Sequence, residues 1–134
     1  VVDKVLCHIT DYNPGHSISI RLKKNHLLTI EKAKDYITRH FTSDISLSEI
    51  ADYCNVSPFH FSRIFKTFTS ISPHQFLLSI RLKNSELLLK ETALPVADVA
   101  FLSGFNSIEH FTAAFRQKYK SPPAKFRIRG AMAH

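Results

Sequence analysis

Two stretches decide the fold: residues 57–69, SPFHFSRIFKTFT, and residues 107–119, SIEHFTAAFRQKY. Each begins with serine, a residue that caps helix N-termini, and each carries two phenylalanines at the four-residue spacing of one helical face. At an offset of 50 residues the likeness extends to the residues that follow. The matched pairs are Ser57 with Ser107, His60 with His110, Phe61 with Phe111, Phe65 with Phe115, Pro73 with Pro123 and Phe76 with Phe126. We therefore predict two copies of one helical unit.

A shorter helix is predicted before each of these stretches. Residues 46–49, SLSE, have the pattern of a capping box, and Asn55 marks the end of the helix that they begin. In the second copy a short helix is predicted from residue 95 or 96 to residue 103, with Gly104 after its end. Each copy is thus predicted to be a helix-turn-helix.

A long helix is predicted between the copies, from Ser72 to Lys90, because Ser-Pro is a helix start and no further proline or glycine interrupts the run. Apolar residues available for packing in this helix are Phe76, Leu77, Ile80, Leu87 and Leu88. Its 19 residues span roughly 28 Å at about 1.5 Å per residue. Major-groove faces recur about every 34 Å along one side of B-DNA. The second helices of the two helix-turn-helix units, called here the recognition helices, could therefore reach adjacent major grooves from the two ends of this long helix.

The rest of the chain is patterned less strongly. A first helix is predicted from Leu27 to Phe41, while the alternation of Ile18, Ile20 and Leu22 suits a strand. Only a brief last turn is predicted from residue 121. The expected division is residues 1–24 as a linker or the end of a missing N-terminal domain, 25–72 as the first helix-turn-helix subdomain, 73–92 as the linker helix, 93–130 as the second subdomain, and 131–134 as a tail.

Composition favours a globular protein with a polyanionic partner. The 134 residues are 44% hydrophobic and 22% charged, with a formal net charge of +7. No acidic residue follows Glu109, although a solvated basic tail would look the same. Cys7 and Cys54 match no zinc or redox spacing, and no signal peptide or transmembrane run is visible. We expect reduced thiols and a cytoplasmic protein.

The outward face of residues 57–69 holds candidates for reading DNA. Phe59, Ser62, Arg63 and Lys66 lie opposite the apolar stripe of Phe61, Ile64, Phe65 and Phe68. In a helix-turn-helix this face enters the major groove, where arginine pairs with guanine and an apolar group touches the thymine methyl. Two alternatives remain open: Phe59 as a contact that staples the helix start, and Arg63 with Lys66 as an ordinary solvated face.

The corresponding face of the second copy is Glu109, Thr112, Ala113 and Arg116. Glu109 would repel phosphate unless it accepts a hydrogen bond from a cytosine amino group, and Ala113 offers only a methyl group. We therefore predict that the first unit supplies most of the polar base readout. The second unit is predicted to contribute phosphate positioning and methyl contacts.

The ordered motifs resemble the DNA-binding domain of AraC/XylS-type bacterial transcription regulators over about residues 27–127. They are Ile50-Ala51, Ser57-Pro58 through Phe65-Lys66, Ser72-Pro73, Ile80-Arg81-Leu82, Val99-Ala100 through Gly104-Phe105, Ser107, Phe111, Phe115 to Pro123, and Phe126-Arg127. The resemblance implies an all-α, homeodomain-like fold of about seven helices. It also implies binding to double-stranded promoter DNA, contact with RNA polymerase and an association with the nucleoid. Any dimerisation would use a missing N-terminal domain.

By position, the resemblance makes base-contacting candidates of Phe59, Ser62, Arg63, Ile108, Glu109, Thr112 and Ala113. Candidates for phosphate contact are Ser57, His60, Lys66, Ser107, His110, Arg116, Lys118 and Lys120. Family members often carry a long polar residue where Ala113 stands, and glycine where Ser70 and Lys120 stand. A residue other than glycine at a left-handed cap costs about 1 kcal/mol without changing the fold.

Two other classes of function compete with DNA binding. The eight histidines form no metal or catalytic spacing with carboxylates, so we expect neither an enzyme nor a bound metal or cofactor. A helical module that binds an acidic protein partner would explain the charge but not the doubled helix-turn-helix. Steep weakening of binding with salt, linear on a log-log scale, would indicate a duplex.

Overall fold

The protein is all-α in the computed structural model, which describes residues 14–132. Within that range the chain forms seven helices and no strand, as expected for the homeodomain-like fold. The helices are α1 (Pro14–His40), α2 (Leu47–Tyr53), α3 (Pro58–Thr69), α4 (Pro73–Glu91), α5 (Val96–Leu102), α6 (Ile108–Tyr119) and α7 (Pro123–Met132). α2 and α3 form the first helix-turn-helix, and α5 and α6 form the second.

Two elements near the ends of the chain differ from the sequence-based expectation. The predicted strand around Ile18 and Leu22 is wrong, because the backbone of these residues belongs to α1, which begins at Pro14. No glycine or proline interrupts residues 16–40, so helical hydrogen bonding continues through the short alternation. The brief last turn is the ten-residue helix α7.

Serine side chains begin the central helices as predicted. Ser57 Oγ accepts a hydrogen bond from the His60 amide at 3.2 Å, and Ser107 Oγ accepts one from the His110 amide at 3.1 Å. The capping box expected at residues 46–49 forms its Ser46 half, with the Glu49 amide donating at 3.1 Å. A box with both reciprocal bonds stands at the start of α4, between Ser72 and Gln75.

Two hydrophobic cores lie one after the other along the chain. The first holds Ile30, Ala33, Ile37, Ile50, Ala51, Cys54, Phe61, Ile64, Phe65 and Leu77. The second holds Leu82, Leu89, Val99, Ala100, Phe105, Phe111, Ala114 and Phe115. Phe65 packs edge-on against Phe76, and Phe115 packs edge-on against Phe126, so the repeated phenylalanines make the same contact in both cores. α4 contributes to both cores, and is therefore more than a spacer.

Three residues expected to pack are substantially exposed. Phe68, the fourth member of the α3 stripe, keeps 37% of its surface and meets the ring of His26 at 5.5 Å. Leu27 and Leu87 keep 41% and 43%.

Candidate nucleic-acid interface

The outward side of α3, called here the α3 face, consists of Phe59, Ser62, Arg63 and Lys66. Phe59 keeps 73% of its surface, so it does not staple the helix start. Arg63 and Lys66 are exposed and Ser62 is half-buried. α3 contains no acidic residue, so the α3 face presents cations, a hydroxyl group and an open ring without a competing carboxylate.

Arg63 and Phe59 contact each other on this surface. The guanidinium carbon of Arg63 lies 5.7 Å from the centroid of the Phe59 ring, one helical turn away. Such exposed cation–π contacts are worth about 0.5–1 kcal/mol, enough to bias the arginine toward one orientation. The arrangement holds a planar hydrogen-bond donor beside an apolar ring, both directed away from the core.

The corresponding side of α6, called here the α6 face, consists of Ile108, Glu109, Thr112, Ala113 and Arg116. Ile108 keeps 39% of its surface, Thr112 is half-buried, and the other three residues are exposed. A carboxylate lies in the first turn and a cation in the last turn of the helix. The α6 face therefore carries one cation and one carboxylate, and is less positive than the α3 face.

The N-terminus of each recognition helix has a serine cap and a histidine. His60 is exposed, with its ring 6.1 Å from that of His26 on α1. His110 is also exposed and stands edge-on to Phe105 at 5.5 Å. Unpaired amides at a helix N-terminus favour anions, and a neighbouring imidazole adds a further donor. Both ends suit a phosphate group.

The C-terminal ends of both recognition helices turn in the left-handed conformation. Ser70 has φ 69° and Lys120 has φ 63°. Lys118 and Lys120 are exposed beside Arg116. Arg127, by contrast, uses its guanidinium within the fold, where it donates hydrogen bonds to the carbonyls of Leu89 and Leu94.

Sequence reasoning missed the structural role of Arg81. Its guanidinium crosses from α4 to the end of α1, where Nε donates to the Phe41 carbonyl at 2.8 Å and Nη2 to the Ser43 carbonyl at 2.9 Å. The one signal in the sequence was its place in the Ile80-Arg81-Leu82 motif. Such bonds to backbone carbonyls between distant residues leave no periodic pattern.

Little in the described residues suggests reactive chemistry. Cys54 is free and buried, and burial raises the pKa of its thiol, which Lys32 partly opposes, so the thiolate form is disfavoured. Residues 14–132 bring together no group of three histidine, cysteine or acidic side chains able to hold a metal ion. Over the same range, no helix is long and apolar enough to cross a membrane.

Comparison with known proteins decides the family. A profile described as a helix-turn-helix domain matches residues 50–129. The crystal structure of a transcriptional regulator with an AraC-type DNA-binding domain, from Chromobacterium violaceum, superimposes with a TM-score of 0.73 at 25% identity, over 78% of this chain and 94% of that one. The chain belongs to the AraC-type helix-turn-helix family.

Two further proteins are similar to this chain. The probable transcriptional regulator LumQ of Photobacterium leiognathi is 32% identical over 79% of this chain and 43% of LumQ. The DNA-binding domain of AdpA, a global transcriptional factor solved in complex with a target DNA, superimposes with a TM-score of 0.71 at 25% identity, covering 75% of this chain and 90% of that one. This chain is thus a helix-turn-helix DNA-binding domain. It spans less than half the length of the first curated relatives it matches.

Proposed function

We propose that this domain binds promoter DNA in a sequence-specific manner and serves a bacterial transcription regulator, with α3 and α6 in two adjacent major grooves. The observation that carries the proposal is the pair of outward faces on α3 and α6, which stand on two equivalent cores joined by α4. The 19 residues of α4 span roughly 28 Å, compatible with the groove repeat of about 34 Å.

The two faces take different parts in this proposal. Phe59, Ser62 and Arg63 contact base edges from α3, with Arg63 bonded to guanine O6 and N7 and the Phe59 ring against a thymine methyl. From α6 the base contacts are made by Ile108, Glu109, Thr112 and Ala113. Because Ala113 has no polar group and Glu109 can only accept, this second set is restricted to methyl contacts, one hydroxyl and a cytosine amino group.

Phosphate contacts fix the position of each recognition helix. At the helix starts they come from the serine and histidine pairs already described, and beyond them from exposed cations. The proposed set is Ser57, His60, Lys66, Ser107, His110, Arg116, Lys118 and Lys120. These contacts carry affinity and salt dependence but no sequence information.

The remaining proposals concern the larger protein. We assign no catalytic step to this domain, whose proposed role is binding. Residues 25–72 and 93–130 are the two DNA-binding subdomains, joined by residues 73–92. Residues 1–24, of which 14–24 begin α1, connect to other parts of the regulator, through which dimerisation would occur, and residues 131–134, which include the last two residues of α7, are a tail. A regulator that binds a promoter would also contact RNA polymerase and associate with the nucleoid in the cytoplasm.

Fluorescence anisotropy tests the proposal. The duplexes are those that the chain selects from a randomised library, and their binding is measured from about 50 to 200 mM salt. A protein that makes six to ten phosphate contacts should lose about 10³–10⁵-fold in affinity over this range. Lys66→Ala should reduce the log-log slope by about 1, whereas Arg63→Ala should relax sequence preference. Arg39→Ala removes an exposed arginine that pairs with Asp35 outside both faces, so it serves as the matched control.

The contradicting result is equally direct. If the chain binds no duplex at the lowest salt, DNA binding by this domain is wrong. Binding to an acidic protein in place of a duplex would then be the explanation of its positive charge.

A further inference from the structure

α4 contacts both hydrophobic cores over residues 77–82, where residues that pack in the first core alternate with residues that pack in the second, among them Leu78. Leu77 is buried in the first core and Ile80 packs against it, while Leu82 and Leu89 are buried in the second. Arg81 stands between Ile80 and Leu82. Arg81 therefore lies in the stretch of α4 that both DNA-binding units contact.

The side chain of Arg81 is held firmly in this stretch. It is half-buried and forms the two carbonyl hydrogen bonds to Phe41 and Ser43 at the end of α1. Burial lowers the pKa of Arg81 below its ordinary value, with Asp44 opposing, yet arginine remains charged at any physiological pH. Two hydrogen bonds from one rigid guanidinium fix both distance and orientation between α1 and α4.

The second unit touches this same junction through the turn between α5 and α6. Gly104 is buried there with φ +94°, and a Cβ atom at this position would lie 2.5 Å from the Phe41 carbonyl oxygen and 2.8 Å from Arg81 Nε. One turn along α4, Asn84 Nδ2 donates to Ser103 Oγ at 3.2 Å. The α5–α6 turn thus packs closely against the Phe41 carbonyl, which also accepts a hydrogen bond from Arg81.

A surface groove separates part of α6 from α4. A groove of about 270 Å³ lies between the first half of α4 and the second half of α6, lined by Gln75, Leu78, Ser79, Leu82, Ala114, Gln117 and Lys118. Leu82 and Ala114, which line this groove, are buried together in the second core, so the groove belongs to the second unit and not to the junction between the units. The contact at Phe41, Arg81 and Gly104, by contrast, joins the α5–α6 turn of the second unit to the first unit.

We propose that Arg81 and Gly104 are positioning residues that lock the second helix-turn-helix against the first, and so set the spacing between the two base segments that one chain accepts. The proposal rests on the proposed binding to two grooves. If the second unit is held rigidly, it meets its base segment at a high effective concentration when the spacing between the two segments fits. At any other spacing the second unit cannot bind its segment. A loosened joint tolerates several spacings at the cost of affinity for the best one.

Arg127 provides a matched control within the same chain. Like Arg81, it uses its guanidinium to bind two backbone carbonyls at the end of a helix, here those of Leu89 and Leu94. These bonds lie entirely between α4, the segment after it and α7, on the side of the second core. Loss of Arg127 should weaken that unit without loosening its contact with the first.

The experiment uses a duplex that the wild-type chain has selected from a randomised library, with the two protected segments mapped by footprinting. Derivatives carry one or two base pairs inserted or removed between the segments. Each base pair rotates the second segment by about 35° and shifts it by about 3.4 Å. Anisotropy is measured on every derivative for wild type, Arg81→Gln, Gly104→Ala and Arg127→Gln, with thermal melting to confirm folding.

For wild type we expect affinity to fall about tenfold or more at altered spacings. For Arg81→Gln and Gly104→Ala we expect weaker binding at the original spacing and variation of less than about threefold across the series. Arg127→Gln should keep the shape of the wild-type profile at any loss of affinity. Should Arg81→Gln fail to fold, Arg81→Lys, which keeps the charge and can bind only one carbonyl well, is measured in its place.

Two results would overturn the inference: a flat wild-type profile, or a folded Arg81 or Gly104 variant that keeps the wild-type spacing preference. Both leave DNA binding itself intact. Absence of binding to any duplex by wild type would instead remove the proposed function, and the inference with it.

Discussion

The two helix-turn-helix units share an interior and differ on the surface. Phe61 and Phe65 in the first unit, and Phe111 and Phe115 in the second, are completely buried. Yet the α3 face presents an arginine beside an open aromatic ring, while the α6 face presents a carboxylate and a methyl group. The duplicated rings and serines thus specify the fold, and the residues between them are free to specify what each unit binds.

The turns differ in a way that has a structural cause. Both change direction at a left-handed residue, Asn55 with φ 60° in the first unit and Gly104 with φ 94° in the second. Asparagine tolerates this conformation. Only Gly104 also lies against the backbone of the other unit, where there is no room for a side chain.

Removing a core ring should have the largest effect on stability. Phe65→Ala and Phe115→Ala are each expected to lower the free energy of unfolding by about 3–5 kcal/mol. Because α4 contributes to both cores, both variants should still unfold in a single transition in urea. If one of the two variants lost little free energy of unfolding, the two hydrophobic cores would not be equivalent.

Substitutions in the two helix-turn-helix turns should have the next largest effect on stability. Gly104→Ala should lower the free energy of unfolding by more than about 2 kcal/mol, since alanine is disfavoured at this φ and its Cβ would meet the Phe41 carbonyl. Asn55→Ala should cost about 1 kcal/mol, from the left-handed conformation alone. Equal losses measured by urea unfolding would show that the close approach at Gly104 adds nothing.

The helix ends should give the smallest effects. Ser70→Gly and Lys120→Gly are each expected to raise stability by about 0.5–1 kcal/mol in thermal melts, because glycine adopts φ near 65° without strain. Only Lys120→Gly should also weaken duplex binding, by removing a proposed phosphate contact. If Ser70→Gly weakened binding as strongly, the distinction between a cap and a contact at these ends would be wrong.

Much of the fold could be predicted because its determinants are local. Helix starts at Ser57, Ser72 and Ser107 are confirmed, since a cap and its helix are adjacent in sequence. The strand expected around Ile18 was wrong because three alternating apolar residues are too few to outweigh an uninterrupted helical run. Helical periodicity predicts a buried Phe68, but the side chain keeps 37% of its surface because periodicity does not show how far the neighbouring helices extend.

The candidate site divides in the same way. Exposure of Phe59 and Arg63 follows from helical periodicity, so the sequence could place the α3 face. The contact among Phe41, Arg81 and Gly104 depends on backbone atoms of distant residues, which no periodicity records. Which side chains touch bases or phosphates stays a prediction, because exposure permits a contact without specifying it.

The most direct test of the difference between the units is a ratio of affinities. Anisotropy gives the affinity of each variant for the library-selected duplex relative to a scrambled duplex of equal length and salt. We predict that Arg63→Ala lowers this ratio by about 5- to 150-fold, the equivalent of about 1–3 kcal/mol of base discrimination. Thr112→Ala and Glu109→Ala should change it by less than about threefold. An Arg63→Ala chain that keeps its preference, with Thr112→Ala or Glu109→Ala abolishing it, would contradict the account.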